Sequence, residues 1–310
     1  MVNLRLILML RMVTEYIECL TGSIREITIV SSVLKREVSC VLYLPDLRPA
    51  AEPLHLLLIN DGQDLEKMQY PTIVNDLYQS ACIHPVLTVG IKAGDERQLE
   101  YGIAGRPDFK NRGSKADQYN DFIIGELLPA IYSETNISSF ASYVIAGFSL
   151  GGLSAFDIAW NNSGIFKKVG TFSASYWWRT KELTNGYTDQ DRIAHQMVAQ
   201  TEVKPELAFW FQVGTEDEKS DRNQNGIIDA IDDNIDLMAE LYQKGFKEYT
   251  DIRYVELIDG RHDIETWGRM MPVFLKCRSS SFETSSSSSG TARGSISRLM
   301  PTPSSLTETI

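Results

Sequence analysis

Apolar segments of strand length and of helix length alternate along most of this 310-residue chain, and this alternation restricts its fold more than any other feature. An antiparallel strand pair is predicted over residues 24–43. Further strands are predicted near residues 54, 86, 142, 168, 207 and 252, and helices near residues 67–80, 117–132, 150–161, 190–200, 229–244 and 264–275. Such alternation is typical of an α/β fold, with a mostly parallel sheet covered by helices on both faces. Ligands bind at the carboxyl ends of the strands in these sheets, so a functional site is expected at that edge.

One glycine-rich turn joins a predicted strand directly to a predicted helix. The apolar run 143–146 is followed by Gly-Phe-Ser-Leu-Gly-Gly at residues 147–152, with Ser149 inside it. This pattern is typical of a nucleophile elbow, in which small residues let strand and helix pass closely while the serine is held above the sheet edge. The amide of Leu150 would then face the place where an oxyanion forms. The alternative is a glycine-rich turn with an inactive serine, because the short pattern is common.

One histidine, His262, lies where a catalytic partner of Ser149 is expected in the chain. Of the four histidines, only His262 follows a predicted strand, residues 253–258, through a short turn and precedes an amphipathic helix, residues 264–274. A catalytic imidazole occupies this place in hydrolases whose order is nucleophile, acid, histidine. The other three, His55, His84 and His195, are interpreted as structural.

A carboxylate is expected after the preceding strand, residues 207–213. The spacing Gly-x-x-Asp favours Asp217, whose short side chain could accept the Nδ1 proton of His262 and fix its tautomer. Glu216 and Glu218 stay open as alternatives for this acid.

At these residues the chain resembles the esterase D and enterochelin-esterase-like group of α/β hydrolases. The similar segments are residues 58–64, 147–152, 173–178 and 260–267, and the resemblance spans residues 24–275. It implies an α/β hydrolase fold and hydrolysis of a carboxylic ester through a serine acyl-enzyme. Some members of the group transfer the acyl group to a sugar instead of water. Carbohydrate, siderophore and other small acyl esters all remain open as substrates, because such a resemblance defines the chemistry better than the substrate.

The resemblance also implies a second oxyanion donor. Residues 61–64 end a predicted strand where these enzymes supply that donor, which we assign to the backbone amide of Gln63, with the amide of Asp64 as the neighbouring possibility. A backbone amide suits this role because it is rigidly aimed and has no proton to lose. An ordinary Asp-Gly turn is the alternative.

Four further residues are predicted to contact the substrate. Arg97 and Tyr101 lie in an Arg-x-x-Glu-Tyr segment similar to one that lines the approach to the serine in the family. An ion pair between Arg97 and Glu100 is the structural alternative. Trp177 and Trp178 follow a predicted strand at the same sheet edge and suggest an aromatic pocket wall, with packing against a neighbouring helix as the alternative.

Residues 221–232 form a motif that is independent of the serine. Oxygen-bearing side chains occupy positions 1, 3, 5, 9 and 12 of the loop, glycine occupies position 6, and a carbonyl at position 7 adds a ligand: Asp221, Asn223, Asn225, Ile227, Asp229 and Asp232. This spacing is typical of a calcium loop. Aspartate at position 12 replaces the usual glutamate and resembles dockerin loops. The predicted calcium is structural and stiffens the segment that carries Asp217, whereas catalysis is expected to need no cofactor. An acidic loop that caps helix 229–244 is the alternative.

Composition restricts the partners. The net charge of −11 disfavours nucleic acid and anionic membranes, so a small-molecule ester is the expected partner, while the oligomeric state stays open. The cysteines lack CxxC spacing, which disfavours disulfides and thiolate metal sites and suggests that most are buried: Cys19, Cys40, Cys82 and Cys277.

Three regions are predicted along the chain: an N-terminal extension at 1–20, the α/β hydrolase domain at 21–277 and a disordered Ser/Thr/Pro-rich tail at 278–310. The apolar run 4–13 is interrupted by Arg5 and Arg11 and is too short to span a bilayer. A cytoplasmic location is expected, with secretion as the alternative.

Together these features predict a serine esterase. The alternatives are an acyltransferase with a carbohydrate acceptor and a catalytically silent module that binds calcium or carbohydrate. Acylated product formed from added sugars would indicate the first alternative, and failure of a fluorophosphonate to label Ser149 would indicate the second.

Overall fold

The computed structural model describes residues 22–44 and 53–280. The predictions for the N-terminal extension and for the tail beyond residue 280 lie outside the described residues, as does the apolar run at 4–13. The last helix ends at Ser280, so it includes the first residues of the predicted tail.

Eight strands of the described chain form one mixed sheet, which confirms the predicted fold class. They are β1 (Ile24–Ser31), β2 (Arg36–Tyr43), β3 (His55–Asn60), β4 (Val86–Ile91), β5 (Tyr143–Phe148), β6 (Lys168–Phe172), β7 (Ala208–Glu216) and β8 (Ile252–Arg261). Their order across the sheet is β1-β2-β4-β3-β5-β6-β7-β8. The pairs β1–β2 and β2–β4 are antiparallel and the other pairs are parallel. The carboxyl ends of β3 to β8 therefore meet at one edge.

Helices cover both faces of this sheet. They are α1 (Tyr70–Gln79), α2 (Arg97–Glu100), α3 (Ala116–Phe122), α4 (Leu128–Thr135), α5 (Leu150–Asn161), α6 (Ile193–Gln200), α7 (Asp229–Gln243) and α8 (Ile264–Ser280). A π turn, Ile123–Leu127, joins α3 to α4 inside the helix predicted at 117–132. No helix among residues 22–44 and 53–280 has both the length and the apolar character needed to cross a membrane.

The hydrophobic core has two layers because successive strand residues point to opposite faces. In β3, Leu56 and Leu58 pack in one layer with α3 to α7, whereas Leu57 and Ile59 pack in the other with α1 and α8. Burial of each such leucine contributes about 2 kcal/mol to folding. Helix α5 is buried from Leu150 to Trp160, including its polar residues Ser154 and Asp157. Strand β5 and helix α5 thus form a rigid base for the turn between them.

Candidate active site

Ser149 occupies the turn between β5 and α5 in a strained backbone conformation. Its φ of 53° and ψ of −122° are unusual for a residue with a side chain, and such conformations cost about 1–3 kcal/mol. The turn is held because the Ser149 amide donates to the carbonyl oxygen of Phe172 at 2.9 Å. A Cβ on Gly147 would overlap the carbonyl oxygen of Gly151, so only glycine fits there. The surrounding structure thus maintains a geometry that the serine alone would not adopt.

Asp217 and His262 follow the ends of two adjacent parallel strands. Glu216, the last residue of β7, is in register with Arg261, the last residue of β8. A Cβ added to Gly214 would lie 2.8 Å from Oδ1 of Asp217 and would overlap the carbonyl oxygen of Gly260, so the two strand ends approach closely. The structure therefore brings the predicted acid and the predicted imidazole to neighbouring positions at the same edge as Ser149.

The carboxylate of Asp217 is buried close to the hydroxyl of Ser173. Within the part of the chain that the structure describes, neither of its oxygens has a hydrogen-bond partner. Burial raises the pKa of this carboxyl, although the nearby Ser173 hydroxyl and the charge of His262 oppose that rise. A buried carboxylate without a partner is costly, and a donor such as an imidazole N–H would relieve that cost.

Burial and two carboxylates have opposite effects on the pKa of His262. Burial lowers the pKa of His262, while Asp217 and Asp263 act in the opposite direction. The ring packs edge to face on Trp267, with centroids 5.3 Å apart. Among the described residues, His262 forms no hydrogen bond with Ser149 or Asp217. Hydrogen bonds of this kind are often long in ligand-free enzymes and shorten when substrate binds.

The two alternative acids have other environments. Glu216 is exposed and pairs with Arg261, whose Nε lies 3.1 Å from Oε2. Burial, followed by the charge of Asp229, raises the pKa of Glu218. These surroundings favour Asp217 as the partner of His262.

Two residues without a predicted role connect the strand ends. Trp267 on α8 donates its indole N–H to the hydroxyl of Ser173, which follows β6, at 3.1 Å. Ser173 lies near Asp217, and the Trp267 ring contacts His262. The hydrogen bond between Trp267 and Ser173 therefore links the surroundings of the acid to those of the imidazole. The two residues lie within segments 173–178 and 260–267, but nothing in the sequence showed that they contact each other.

The two predicted oxyanion donors are both available. Among the described residues, neither the Gln63 amide nor the Leu150 amide donates a hydrogen bond. The alternative donor, the amide of Asp64, is already bonded to the carbonyl oxygen of Asp61 at 3.1 Å. Asp61 has a left-handed conformation, with φ 60° and ψ 41°, that turns the chain directly after β3. The structure therefore favours Gln63 over Asp64.

The alternative of an ion pair between Arg97 and Glu100 is wrong. The guanidinium of Arg97 instead forms two hydrogen bonds with Asp61, from Nε and from Nη2, each 2.7 Å long. Glu100 pairs with Arg36, which is distant in the sequence, at 2.6 Å. Arg97 therefore holds the turn that carries Gln63, and its own contact with substrate stays a prediction.

Two of the predicted substrate contacts are buried in the core. Tyr101 is 1% exposed, and its hydroxyl accepts a hydrogen bond from the Asp61 amide at 3.3 Å. Trp178 is 0% exposed and donates its indole N–H to the carbonyl oxygen of Arg106. Neither side chain can form a pocket wall, which corrects both assignments. Trp177 is partly exposed and remains available.

Two of the histidines that were interpreted as structural have contacts away from Ser149. His195 is 6% exposed, Nε2 lies 2.9 Å from the carbonyl oxygen of Asp233, and burial lowers its pKa to about 3. The Nδ1 atom of His55 lies 2.7 Å from the Ser142 hydroxyl. These contacts agree with the structural interpretation of His195 and His55. The cysteines with described side chains are free, Cys40 being buried and Cys82 exposed.

The predicted calcium loop folds around its own side chains. Asp221 accepts hydrogen bonds from the amides of Asn225 and Gly226, at 3.1 and 2.9 Å. Asp232 accepts hydrogen bonds from the side-chain amides of Asn223 and Asn225, at 3.0 and 2.8 Å.

Asp229, at position 9 of the loop, is hydrogen-bonded to Arg222 and, among the described residues, to none of the other predicted ligands. Asp229 accepts a hydrogen bond from the amide of Arg222 at 2.9 Å and lies 3.4 Å from its guanidinium. Across residues 22–44 and 53–280, no three His, Cys, Asp or Glu side chains are grouped as a metal site would require. A cation in this loop would therefore depend on amide and carbonyl oxygens as well as carboxylates.

A mixed α/β sheet with a serine at a strained strand-to-helix turn defines an α/β hydrolase. The chain belongs to the family described as "Putative esterase", whose model matches residues 31–276. This match confirms the resemblance to an esterase group of α/β hydrolases that the sequence indicated.

Several other proteins are similar to this chain at low sequence identity. The uncharacterized protein YjcH of Bacillus subtilis (strain 168) is 22% identical over 257 residues, which are 82% of this chain and 97% of that protein. The enterobactin esterase FES from Shigella flexneri, solved in the presence of enterobactin, is similar with a TM-score of 0.63 and 23% identity over 82% of this chain. This chain spans 58% of the length of that enzyme. An IroE-like serine hydrolase from Shewanella oneidensis has a TM-score of 0.60 and 18% identity, covering 83% of this chain and 79% of that one.

Proposed function

We propose that this protein hydrolyses a small acyl ester through an acyl-enzyme on Ser149, with His262 as general base and Asp217 as the acid that orients it. The strained conformation of Ser149 at the carboxyl end of β5 is the observation that carries the proposal. The adjacent ends of β7 and β8 support the other two roles. The Shewanella relative is described as a serine hydrolase, which agrees with a serine nucleophile.

The reaction has two halves in this proposal. His262 takes the proton of the Ser149 hydroxyl as its oxygen attacks the ester carbonyl carbon, and the amides of Gln63 and Leu150 donate to the resulting oxyanion. The intermediate collapses, the C–O bond to the alcohol breaks, and the imidazolium gives its proton to the leaving oxygen. Water then loses a proton to His262 as it attacks the acyl-enzyme. The acyl C–O bond to Ser149 breaks, the imidazolium returns that proton to the Ser149 oxygen, and the acid is released.

A fluorophosphonate probe tests the nucleophile directly. We expect it to modify the protein at one site and to stop turnover of p-nitrophenyl esters. Peptide mapping should place the modification on Ser149. Added acceptor sugars separate hydrolysis from acyl transfer, because only transfer yields an acylated sugar.

The pH profile should reflect the environment of His262. The imidazole must be neutral to act as a base, and burial lowers its pKa below the ordinary value of about 6.5. We therefore expect kcat/KM to fall on the acid side with a midpoint below 6.5, measured in constant-ionic-strength buffers. A midpoint above that value would contradict the assignment, because the base would then be stabilised in its charged form.

We also propose that residues 221–232 bind one Ca²⁺ ion with a structural role. Asp221, Asn223, Asn225 and Asp232 are already joined by hydrogen bonds, and rotation of either side-chain amide by 180° would direct Oδ1 instead of Nδ2 inwards. The Ile227 carbonyl would add a ligand, and Asp229 would bind directly only if it left Arg222. The loop begins shortly after Asp217, so the ion would stiffen that segment.

Calcium should raise the melting temperature. At about 100 times Kd, a ligand of the folded state stabilises it by about 2.7 kcal/mol, which corresponds to about 5 °C or more for a chain of this size. Differential scanning calorimetry with Ca²⁺ and with EDTA measures the shift. Asp221→Asn should abolish it, whereas Asp121→Asn, which removes the same charge from an exposed helix position, should not. No shift in the unmodified protein would refute calcium binding.

A further inference from the structure

The guanidinium of Arg179 is surrounded by aromatic rings near the strand end that precedes it. Its Cζ atom lies 5.1 Å from the ring centroid of Phe109, 5.6 Å from that of Tyr187 and 5.9 Å from that of Trp177. We call these four residues the Arg179 cluster. All four side chains are partly exposed, so a ligand could reach them.

No carboxylate among the described residues pairs with Arg179, whereas a neighbouring arginine has such a partner. Arg112 contacts the same Trp177 ring at 4.8 Å, but its guanidinium is paired with the buried carboxylate of Asp108. Within the described chain, Arg179 forms no ion pair. Among the described residues, its guanidinium donates one hydrogen bond, from Nη1 to the carbonyl oxygen of Trp177, at 3.3 Å. Its Nε is buried and has no hydrogen-bond partner there. Most of the donors of this guanidinium therefore remain unused.

A short stretch of chain links the Arg179 cluster to the proposed nucleophile. The amide of Ser175 donates to the carbonyl oxygen of Ser149 at 3.1 Å, and Trp178 turns back to the Ser175 carbonyl oxygen. Arg179 follows Ser175 by only four residues, so their Cα atoms are at most about 14 Å apart even for a fully extended segment. A substrate of moderate size bound at Ser149 could therefore reach the guanidinium.

We infer that Arg179 binds a carboxylate of the substrate, so that the preferred esters are anionic. This inference rests on the proposed function, because it specifies the substrate of the same site. Aromatic walls reduce the hydration of a guanidinium and so strengthen its interaction with a carboxylate, which it can bind through two parallel hydrogen bonds. A protein with a net charge of −11 repels anions, so an anionic substrate requires a local positive charge that is not neutralised.

Matched esters test the inference on either side of the scissile bond. For the acyl side, p-nitrophenyl hexanoate is compared with the mono-p-nitrophenyl ester of adipic acid, which carries a carboxylate on the terminal carbon. For the alcohol side, p-nitrophenyl acetate is compared with 4-acetoxybenzoate. We expect Arg179→Gln to lower kcat/KM about 10-fold or more for at least one anionic ester, mainly through KM, as is typical for loss of a charged hydrogen bond. The neutral esters should change less than about 2-fold.

Two further variants control for charge and for geometry. Lys110→Gln removes an exposed positive charge that is next to Phe109 and should leave every ratio unchanged. Arg179→Lys should restore part of the preference, because it keeps the charge but not the paired donors. Melting temperatures show whether each variant is folded.

The outcomes separate this inference from the proposed function. If the protein and Arg179→Gln hydrolyse all four esters in the same ratios, Arg179 serves only in packing and the inference is refuted. If no ester is hydrolysed, the proposed function fails. Calorimetric titration with adipate and with 4-hydroxybenzoate then tests separately whether Arg179 binds a carboxylate. Binding that is lost in Arg179→Gln supports the anion site, and binding that is absent or unchanged overturns it.

Discussion

Replacement of Ser149 by alanine is expected to lower kcat toward p-nitrophenyl esters at least about 10⁴-fold. The variant lacks the oxygen that forms the acyl-enzyme, so only binding and the two oxyanion amides could still promote attack by water. Steady-state rates with p-nitrophenyl acetate measure the loss. Ser163→Ala, a substitution beyond the far end of α5, should retain the full rate.

The same substitution should leave the fold intact. The left-handed turn at residue 149 is held by the Phe172 carbonyl and by the close approach of strand and helix, and neither contact uses the Ser149 side chain. The melting temperature should therefore stay within about 2 °C of the starting value, since a surface-type change costs less than about 0.5 kcal/mol. Retention of more than a few per cent of the rate would rule out Ser149 as the nucleophile, and labelling of another residue by the fluorophosphonate would identify its replacement.

The parts of the fold that were predicted from the sequence are those determined by local patterns. The apolar runs at β3 to β8 and the periodic helices between them follow from burial, and the Gly-x-Ser-x-Gly turn follows from backbone sterics. The order of the strands does not, because β4 lies between β2 and β3 as a result of how the whole sheet packs. The π turn within the helix predicted at 117–132 is similarly non-local. Glu126 in that turn accepts hydrogen bonds from Ser31, Ser32 and Val33 in the distant β1–β2 turn.

In the candidate site, too, features set by local sequence were predictable and contacts between distant residues were not. The positions of Ser149, Asp217 and His262 after β5, β7 and β8 could be predicted because chain order and strand ends are visible in the sequence. The partners of Arg97 and Glu100 could not, since their neighbours at positions 61 and 36 are brought to them only by the sheet.

Burial also escaped sequence-based prediction. Trp177 and Trp178 are adjacent and chemically identical, yet one is partly exposed and the other is buried against Gly102 and Gly113. Which of two neighbouring side chains points inward depends on the course of the loop, and that course is set by contacts outside the segment.

The identity of the acid is the second assignment with a large expected effect. Asp217→Asn should lower kcat about 10⁴-fold, because the asparagine amide would donate to Nδ1 of His262 and stabilise the tautomer that cannot accept the Ser149 proton. Loss of the Asp217 charge should also lower the pKa of His262 further, since that charge raises it. The measurement is kcat as a function of pH, which reports both effects.

Stability should respond in the opposite direction to activity. The pKa of Asp217 is raised in the folded protein, so the folded state favours the protonated form and the ionised carboxylate opposes folding above the unfolded pKa. Removal of that charge at pH 7 should keep or increase the melting temperature, while catalysis is nearly lost.

Glu216→Gln and Glu218→Gln are the matched controls for this assignment. Glu216 pairs with Arg261 at the surface, where both partners are more than half exposed, so that substitution should leave stability and rate nearly unchanged. Glu218 lies toward Asp229 and not toward the imidazole, so its replacement should change kcat less than about 3-fold. A large loss in Glu218→Gln together with an active Asp217→Asn would transfer the role to Glu218. The three carboxylates are neighbours in the sequence and differ chiefly in which groups surround them. The rates of the three variants therefore show which carboxylate acts on His262.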